Sequence, residues 1–253
     1  MSSAAAGDIA LRGCLPVEIS HLKGEGVAVA VIDSGISRGH PHVGDVIGGV
    51  SFTIDNDGRV RQSNDFQDRS GHGTACAAVI RGWAPQAGIL AVKILDDRLS
   101  SRTELLIEGI EWARSSGADV INMSLGTYRD DMLGELESSI EAAGEAGIVF
   151  VASSQNPDDP PAPARFPCVI SVAPDPEEST FHIRRGNKRG ADFIAYPYPR
   201  EIPGITRQSN FFGPSFASAH VSGLACLAKE KARESDHNDV KKFLLDLSGE
   251  LTR

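Results

Sequence analysis

The chain of 253 residues has little of several features that mark specialised classes of protein. Its four cysteines lack the short paired spacings of zinc and redox motifs, which argues against a metal centre and a disulfide framework. No apolar run approaches the roughly 18 residues that span a bilayer, so the sequence predicts no membrane partner. Acidic residues outnumber basic ones by 34 to 25, and this net charge of −9 counts against nucleic-acid binding.

The N-terminal residues show no basic segment followed by an apolar core, so no secretory signal is expected. Together with reduced, mostly buried thiols, this predicts a cytoplasmic protein. Apolar residues make up 41% of the chain and charged residues 23%, as in an ordinary globular protein. No repeat or long linker divides the sequence, which favours one domain.

Short β-branched runs alternate with helical patterns along the chain. We expect strands at residues 27–32, 89–94, 120–123, 148–152 and 169–173, and the clearest helices at 102–116 and 131–146. Gly117 and Gly147 follow these helices, where a left-handed C-cap favours glycine. The alternation predicts an α/β fold with a mostly parallel, doubly wound sheet and helices on both faces. Functional residues gather at the carboxyl ends of strands in such sheets.

Two charged segments invite functional interpretations that we do not favour. Residues 55–58, Asp-Asn-Asp-Gly, look like part of a calcium loop, but Thr53 and Asn64 stand where that loop needs acidic residues. We interpret Asp57-Gly58 as a hairpin turn between two strands. The basic run at 184–189 has no interleaved aromatics, and we interpret it as a solvated loop.

Three chemically complementary residues follow or begin predicted elements. Asp33 comes directly after the first strand, His72 stands between glycines at a helix start, and Ser215 begins a late helix. Each alone has an ordinary interpretation as a turn or cap residue. Together they are the parts of a nucleophilic site, because a serine hydroxyl needs a base and that base needs a carboxylate to fix its tautomer.

Attack on a carbonyl also requires donors for the oxyanion that forms. Asn156 lies just past the strand at 148–152, where its side-chain amide can turn toward the same edge of the sheet. The backbone N–H of Ser215, at a helix N-terminus, is a candidate second donor.

These segments resemble those of the subtilisin-like serine peptidases, the subtilase family. The resemblance rests on residues 29–35, 71–74, 120–126, 151–156 and 213–223. It implies a single-domain, three-layer α/β/α fold with a peptidase core at 27–228, preceded by a segment at 1–26 and followed by a C-terminal helix at 229–253. It also implies that the protein needs no cofactor. The implied catalytic set is Asp33 to orient the imidazole, His72 as general acid and base, Ser215 as nucleophile and Asn156 as oxyanion donor.

The resemblance further implies a peptide-binding edge. Ser124, Leu125 and Gly126 would pair with the backbone of an extended peptide or unfolded protein segment. The same residues would wall the specificity pocket together with Ser153, Ser154 and Gln155. The alternative is that residues 124–126 only end a core strand.

Several positions depart from the family pattern. Pro214 removes a hydroxyl that can assist the oxyanion hole but leaves the N–H of Ser215 intact. Gln155 replaces the glycine that usually precedes the oxyanion asparagine. The helix after His72 lacks the family's calcium loop, so no metal site is expected there. Cys76, one turn after His72, is interpreted as a packing residue.

Within the family, the missing calcium loop and residues 72–76 and 121–127 are similar to cyanobactin-type leader-cleaving proteases. We therefore expect a serine endopeptidase that selectively processes a peptide or protein precursor, with a ribosomal precursor peptide as one such substrate. One alternative is a peptide macrocyclase, in which an amine replaces water. The other is a catalytically weak peptide-binding module on a protease fold.

Overall fold

Nine strands form one sheet in the part of the chain that the structure describes. This structure is a computed structural model, and it describes residues 12–129, 131–156, 158–175, 181–186, 190–202 and 204–251. The strands are β1 (Ala28–Asp33), β2 (Gly48–Ile54), β3 (Val60–Ser63), β4 (Gly88–Lys93), β5 (Val120–Met123), β6 (Val149–Ser153), β7 (Val169–Pro174), β8 (Ile183–Arg185) and β9 (Phe193–Ala195).

The strand order is β3-β2-β4-β1-β5-β6-β7-β9-β8. All neighbouring strands run parallel except at the two edges, where β3 and β8 pair antiparallel with β2 and β9. The described helices are α1 (His72–Trp83), α2 (Thr103–Ser115), α3 (Leu133–Glu145), α4 (Pro214–Lys231) and α5 (His237–Leu251).

The central strands are buried on both faces because apolar residues occupy successive positions. In β1, Val29 and Val31 point to one face of the sheet, while Ala30 and Ile32 point to the other. The first face is covered by α1, α4 and α5, and the second by α2 and α3. The predicted three-layer, doubly wound α/β fold with one domain is therefore confirmed.

Local expectations from the sequence are also largely met. The five expected strands lie within one residue of the observed bounds, and Gly117 and Gly147 have φ angles of 78° and 87°. Residues 55–58 form the turn of the β2–β3 hairpin, as predicted. The interpretation of residues 184–189 as a loop was wrong at its start, because Arg184 and Arg185 belong to β8; residues 187–189 lie outside the described residues.

The C-terminal part of the chain packs on the α1 and α4 face. Helix α4 continues to Lys231, three residues beyond the boundary expected at residue 228. After a short turn, α5 contributes Val240, Leu244 and Leu247 to the core. None of the described helices is long and apolar enough to cross a membrane.

Helices α1 and α4 approach closely because a glycine stands at their contact. A Cβ atom on Gly223 would lie 2.7 Å from the Cβ of the fully buried Trp83. A methyl group at this position therefore forces the two helices apart.

We expect Gly223→Ala to lower the free energy of unfolding by about 1–3 kcal/mol through overpacking. Gly144→Ala is the matched control in α3, where an added Cβ has no neighbour within 4 Å. That control should stabilise by about 0.5–1 kcal/mol because alanine has the better helix propensity. Urea denaturation of both variants measures the difference, and equal effects would show that the α1–α4 contact is not tight.

Candidate active site

The candidate residues meet where the strand order reverses. Strand β1 lies between β4 and β5, with β5, β6 and β7 following it in order on one side and β4, β2 and β3 lying on the other. Asp33 ends β1, Ser124 directly follows β5, and Ser153 ends β6. Parallel strands bring these carboxyl ends to one edge of the sheet, which is where α/β folds form their clefts.

Asp33 and His72 form a hydrogen-bonded pair, as the sequence predicts. The Nδ1–H of His72 donates to Oδ1 of Asp33 over 2.7 Å, and the N–H of Ser34 donates to the same oxygen over 2.6 Å. Asp33 is completely buried and His72 is 9% exposed. Burial alone would lower the pKa of His72, but the hydrogen bond and charge of Asp33, with a further contribution from Asp68, raise that pKa above 6.5.

The glycines on both sides of His72 explain how it reaches Asp33. Gly71 has a φ of 82°, a left-handed conformation that glycine adopts without strain, and it precedes the first turn of α1. A Cβ on Gly73 would lie 2.3 Å from the carbonyl oxygen of Gly35. Only glycine therefore lets the start of α1 pack against the end of β1.

Ser215 lies in the first turn of α4, and the backbone just before it adopts a conformation that favours glycine. Gly213 has a φ of 150°, and Pro214 then begins the helix with its fixed φ. The Ser215 hydroxyl donates to the carbonyl oxygen of Ser124 over 3.3 Å. The ring of the next residue, Phe216, packs 5.5 Å from the His72 ring between centroids. The nucleophile and base candidates therefore share one corner of the molecule.

No hydrogen bond joins the Ser215 hydroxyl to His72 among the described residues. The hydroxyl must rotate from Ser124 toward Nε2 of His72 before its proton can be transferred. Such bonds are often long or misaligned before a substrate binds, so this geometry is compatible with catalysis.

Asn156 follows β6 in an exposed turn. Its Oδ1 accepts the N–H of Asp158 over 3.0 Å, and its backbone carbonyl accepts the Ser154 hydroxyl over 2.7 Å. The contact with Asp158 fixes the carbonyl half of the side chain and leaves the Nδ2 hydrogens as candidate donors. The N–H of Ser215, in the first turn of α4, has no partner within the helix and is the second candidate donor.

Comparison with known proteins identifies the family of this chain. The model of the subtilase family matches residues 24–251. The chain belongs to the subtilase family. Subtilisin NAT of Bacillus subtilis subsp. natto is 34% identical over 233 residues, which cover 82% of this chain and 56% of that protein. Subtilisin of Bacillus pumilus is also 34% identical, with 82% of this chain and 78% of the relative covered.

The fold of this subtilase is also found among solved structures. The crystal structure of a cold adapted subtilisin-like serine proteinase superposes with a TM-score of 0.70 at 24% identity. That match covers 89% of this chain and 83% of the other. The chain spans about half the length of several of the curated relatives that it matches.

The residues of this subtilase that were expected to bind a peptide differ in their exposure and contacts. Leu125 and Gly126 line a cleft of about 380 Å³ together with Leu99 and Leu106. The hydroxyl of Ser154 is bonded within its own turn, as described above, while Ser153 is buried and Gln155 is exposed.

Ser124 is also turned inward. Its hydroxyl accepts a hydrogen bond from Asn122 over 2.8 Å. Its carbonyl oxygen is the acceptor of the Ser215 hydroxyl. Ser124 therefore offers backbone groups to a ligand, and its side chain belongs to the interior.

Sequence reasoning missed several residues that shape the site. Phe211 is 43% exposed, stacks on Phe216 and meets the His72 ring edge-to-face at 6.3 Å between centroids. Asp68 accepts hydrogen bonds around the start of α1. Asn122 is a buried polar side chain between two apolar residues of β5, and this interruption of the apolar pattern is the signal that could have found it.

Cys76 completes a cluster with Asp33 and His72 in which one ligand atom of each lies within 4.8 Å of the others. Metal ions bind the thiolate, not the thiol. Burial and the neighbouring charge of Asp33 raise the pKa of Cys76 well above its usual value. The cluster therefore fits a neutral thiol packed beside a hydrogen-bonded pair, in agreement with its interpretation as a packing residue.

The protonation of His72 predicts how Ser215 reacts with a fluorophosphonate. Neutral His72 is needed to accept the serine proton, so the labelling rate should fall as pH decreases, with a midpoint above 6.5 because Asp33 raises the pKa. Intact-protein mass spectrometry from pH 5 to 9 measures that rate. Ser215→Ala should remain unlabelled, and a rate independent of pH would contradict His72 as the base.

Proposed function

We propose that this subtilase is a serine endopeptidase that hydrolyses peptide bonds through an acyl-enzyme on Ser215. The observation that carries the proposal is the buried hydrogen bond between Asp33 and His72, with the first turn of α4 presenting Ser215 at the same edge of the sheet. A carboxylate that fixes an imidazole beside a serine is the arrangement that makes a hydroxyl nucleophilic. The 34% identity to subtilisins supports the same chemistry.

In the first step, Nε2 of His72 takes the proton of Ser215 as its Oγ bonds to the substrate carbonyl carbon. Asp33 stabilises the imidazolium by accepting the hydrogen bond from Nδ1–H, and the carboxylate itself does not become protonated. The negative oxygen of the tetrahedral intermediate is stabilised by Nδ2 of Asn156 and the N–H of Ser215.

Collapse of this intermediate breaks the C–N bond, and the imidazolium gives its proton to the leaving amine. Water then attacks the ester with His72 again as base, and the acid product leaves Ser215 with its proton restored. The step needs no cofactor.

The substrate is an extended segment of a peptide or protein. The backbone of residues 124–126 lies beside the candidate nucleophile, and Leu125 and Gly126 face the open cleft. An extended chain laid along this segment forms backbone hydrogen bonds, and the cleft accepts its side chains. Asp158 and Asp159 are exposed in the turn after Asn156, and their negative charge would favour a basic substrate residue near the cut.

We further propose that the protein is a selective processing protease of the cytoplasm. The similarity of residues 72–76 and 121–127 to leader-cleaving proteases supports a precursor peptide as substrate. The direct connection of α1 to β4 through residues 84–87, without an inserted loop, is consistent with that subgroup.

A diverse peptide library with mass-spectrometric readout tests the function. We expect wild-type protein to cleave at one preferred motif and Ser215→Ala to cleave nothing. Each product pair should gain the mass of one water relative to its precursor, since hydrolysis consumes water. Cleavage that persists in Ser215→Ala, or a circular product without added water, would contradict the proposal.

Asn156→Ala tests the oxyanion donor. We expect kcat to fall about 100- to 1,000-fold with KM little changed, because the donor acts on charge that forms only in the transition state. Asn238→Ala, at an exposed asparagine in α5, is the control and should keep wild-type kinetics. A loss below tenfold in Asn156→Ala would remove this residue from the oxyanion site.

A further inference from the structure

Asp68 is a buried carboxylate outside the proposed catalytic set, and described residues give it six hydrogen bonds. Its Oδ2 accepts the N–H and the hydroxyl of Thr74 over 2.9 and 2.7 Å. Its Oδ1 lies 3.0 Å from the Ser34 hydroxyl, 3.0 Å from the N–H groups of Ser70 and Gly71, and 3.1 Å from the Ser70 hydroxyl. So many donors hold the side chain in one position and favour its charged form.

The partners of Asp68 come from both sides of the Asp33–His72 pair. Ser34 directly follows Asp33, and its hydroxyl oxygen also accepts the N–H of Gly73 over 3.0 Å. The hydroxyl oxygen of Ser70 accepts the N–H of His72 over 3.2 Å. Asp68 thus connects the end of β1 to the start of α1 through two serine hydroxyls.

Among the described groups around the His72 ring, Asp68 is the second negatively charged group after Asp33. Strand β1 contributes Asp33, the segment before α1 contributes Asp68, and α1 contributes the neutral thiol of Cys76. Within the part of the chain that the structure describes, the elements on the other side contribute the uncharged rings of Phe211 and Phe216 and the candidate nucleophile.

We propose that Asp68 is a positioning residue for the reaction, which keeps His72 in register with Asp33 and adds a second negative charge that stabilises the imidazolium. This inference rests on the proposed function, because it assigns His72 the role of base. The charge of Asp68 raises the pKa of His72, in addition to the larger effect of Asp33. Hydrogen bonds from Thr74, Gly71 and Ser34 outweigh burial and lower the pKa of Asp68 itself, so the carboxylate is ionised at neutral pH.

Asp68→Asn removes the charge and retains most of the contacts. If the new Nδ2 faces Thr74, the hydroxyl oxygen of Thr74 accepts from it and the amide oxygen keeps the partners of Oδ1, while the N–H and the hydroxyl hydrogen of Thr74 lose Oδ2 as their acceptor. Thr74→Val is the matched control, because it removes one hydrogen bond to Asp68 and keeps the carboxylate.

The decisive readout is the NMR titration of the His72 imidazole, measured in the Ser215→Ala background. We expect Asp68→Asn to lower the pKa of His72 by about half a pH unit or more, since a more distant charge has less effect than the 1 to 3 units of a direct partner. Thr74→Val should leave that pKa at its value in the Ser215→Ala protein. In the catalytically active background, the acid limb of kcat/KM should move to lower pH in Asp68→Asn only.

A purely structural role would lower kcat in both variants and move the pKa in neither, and that outcome would overturn the proposal. The NMR titration requires no turnover, so it decides the matter even if the wild-type protein hydrolyses no peptide. Should Asp68→Asn not fold, Asp68→Ser makes the same charge change with room for a water. Failure of both to fold would show that the carboxylate serves folding alone, which also overturns the proposal.

Discussion

The hydrogen bond from His72 to Asp33 is the interaction on which the rest of the site depends. An ionised carboxylate is costly to bury unless donors replace its water. Oδ1 of Asp33 receives two donors, whereas Oδ2 is buried without a hydrogen-bond partner among the described residues. The imidazole is therefore the main compensation for this charge, and the orientations of the two side chains are fixed together.

A second set of buried polar contacts determines where Ser215, the candidate nucleophile, lies. Asn122 in β5 donates to the Ser124 hydroxyl over 2.8 Å and accepts from the Ser222 hydroxyl of α4 over 2.9 Å. Shifting α4 by one residue would leave these groups unpaired in the interior, which costs more than an apolar mismatch. Ser215 reaches the carbonyl of Ser124 because this register is enforced. The contact of Gly223 with Trp83 then places α1, and with it His72, against the same helix.

Much of this arrangement could be predicted from the sequence because it depends on local patterns. Strand β1 is a continuous apolar run rich in β-branched residues, and Asp33 must then emerge at its carboxyl end. The glycines around His72 and the small residues of α4 predict close backbone contacts, although not with which partner. Sequence patterns therefore predicted the elements and brought the candidate catalytic residues to their ends.

The remaining features depend on tertiary contacts that no local pattern encodes. Asp68 is one acidic residue among several in an irregular segment. Five of its six hydrogen bonds come from residues 70–74, close by in the chain, but the bond from Ser34 forms only when α1 docks on β1. The inward direction of Ser124 is set by Asn122 and the helix behind it. The direction of the Ser215 hydroxyl, toward Ser124 and not His72, is likewise a property of the packed structure.

The protonated form of His72 stabilises the folded protein, whereas the proposed mechanism needs its neutral form. A histidine whose pKa is raised in the folded protein adds stability that is full below pH 6.5 and is lost as pH rises through the folded value. The neutral form of His72, which the proposed mechanism needs as base toward Ser215, appears over that same interval. Asp68, whose pKa is lowered, adds stability above pH 3.8 that is lost only as pH falls through its folded value. The network around Asp68 therefore keeps its full stabilising effect at the pH where the Asp33–His72 pair gives up part of its own, so α1 stays docked on β1 when His72 is neutral and able to accept a proton.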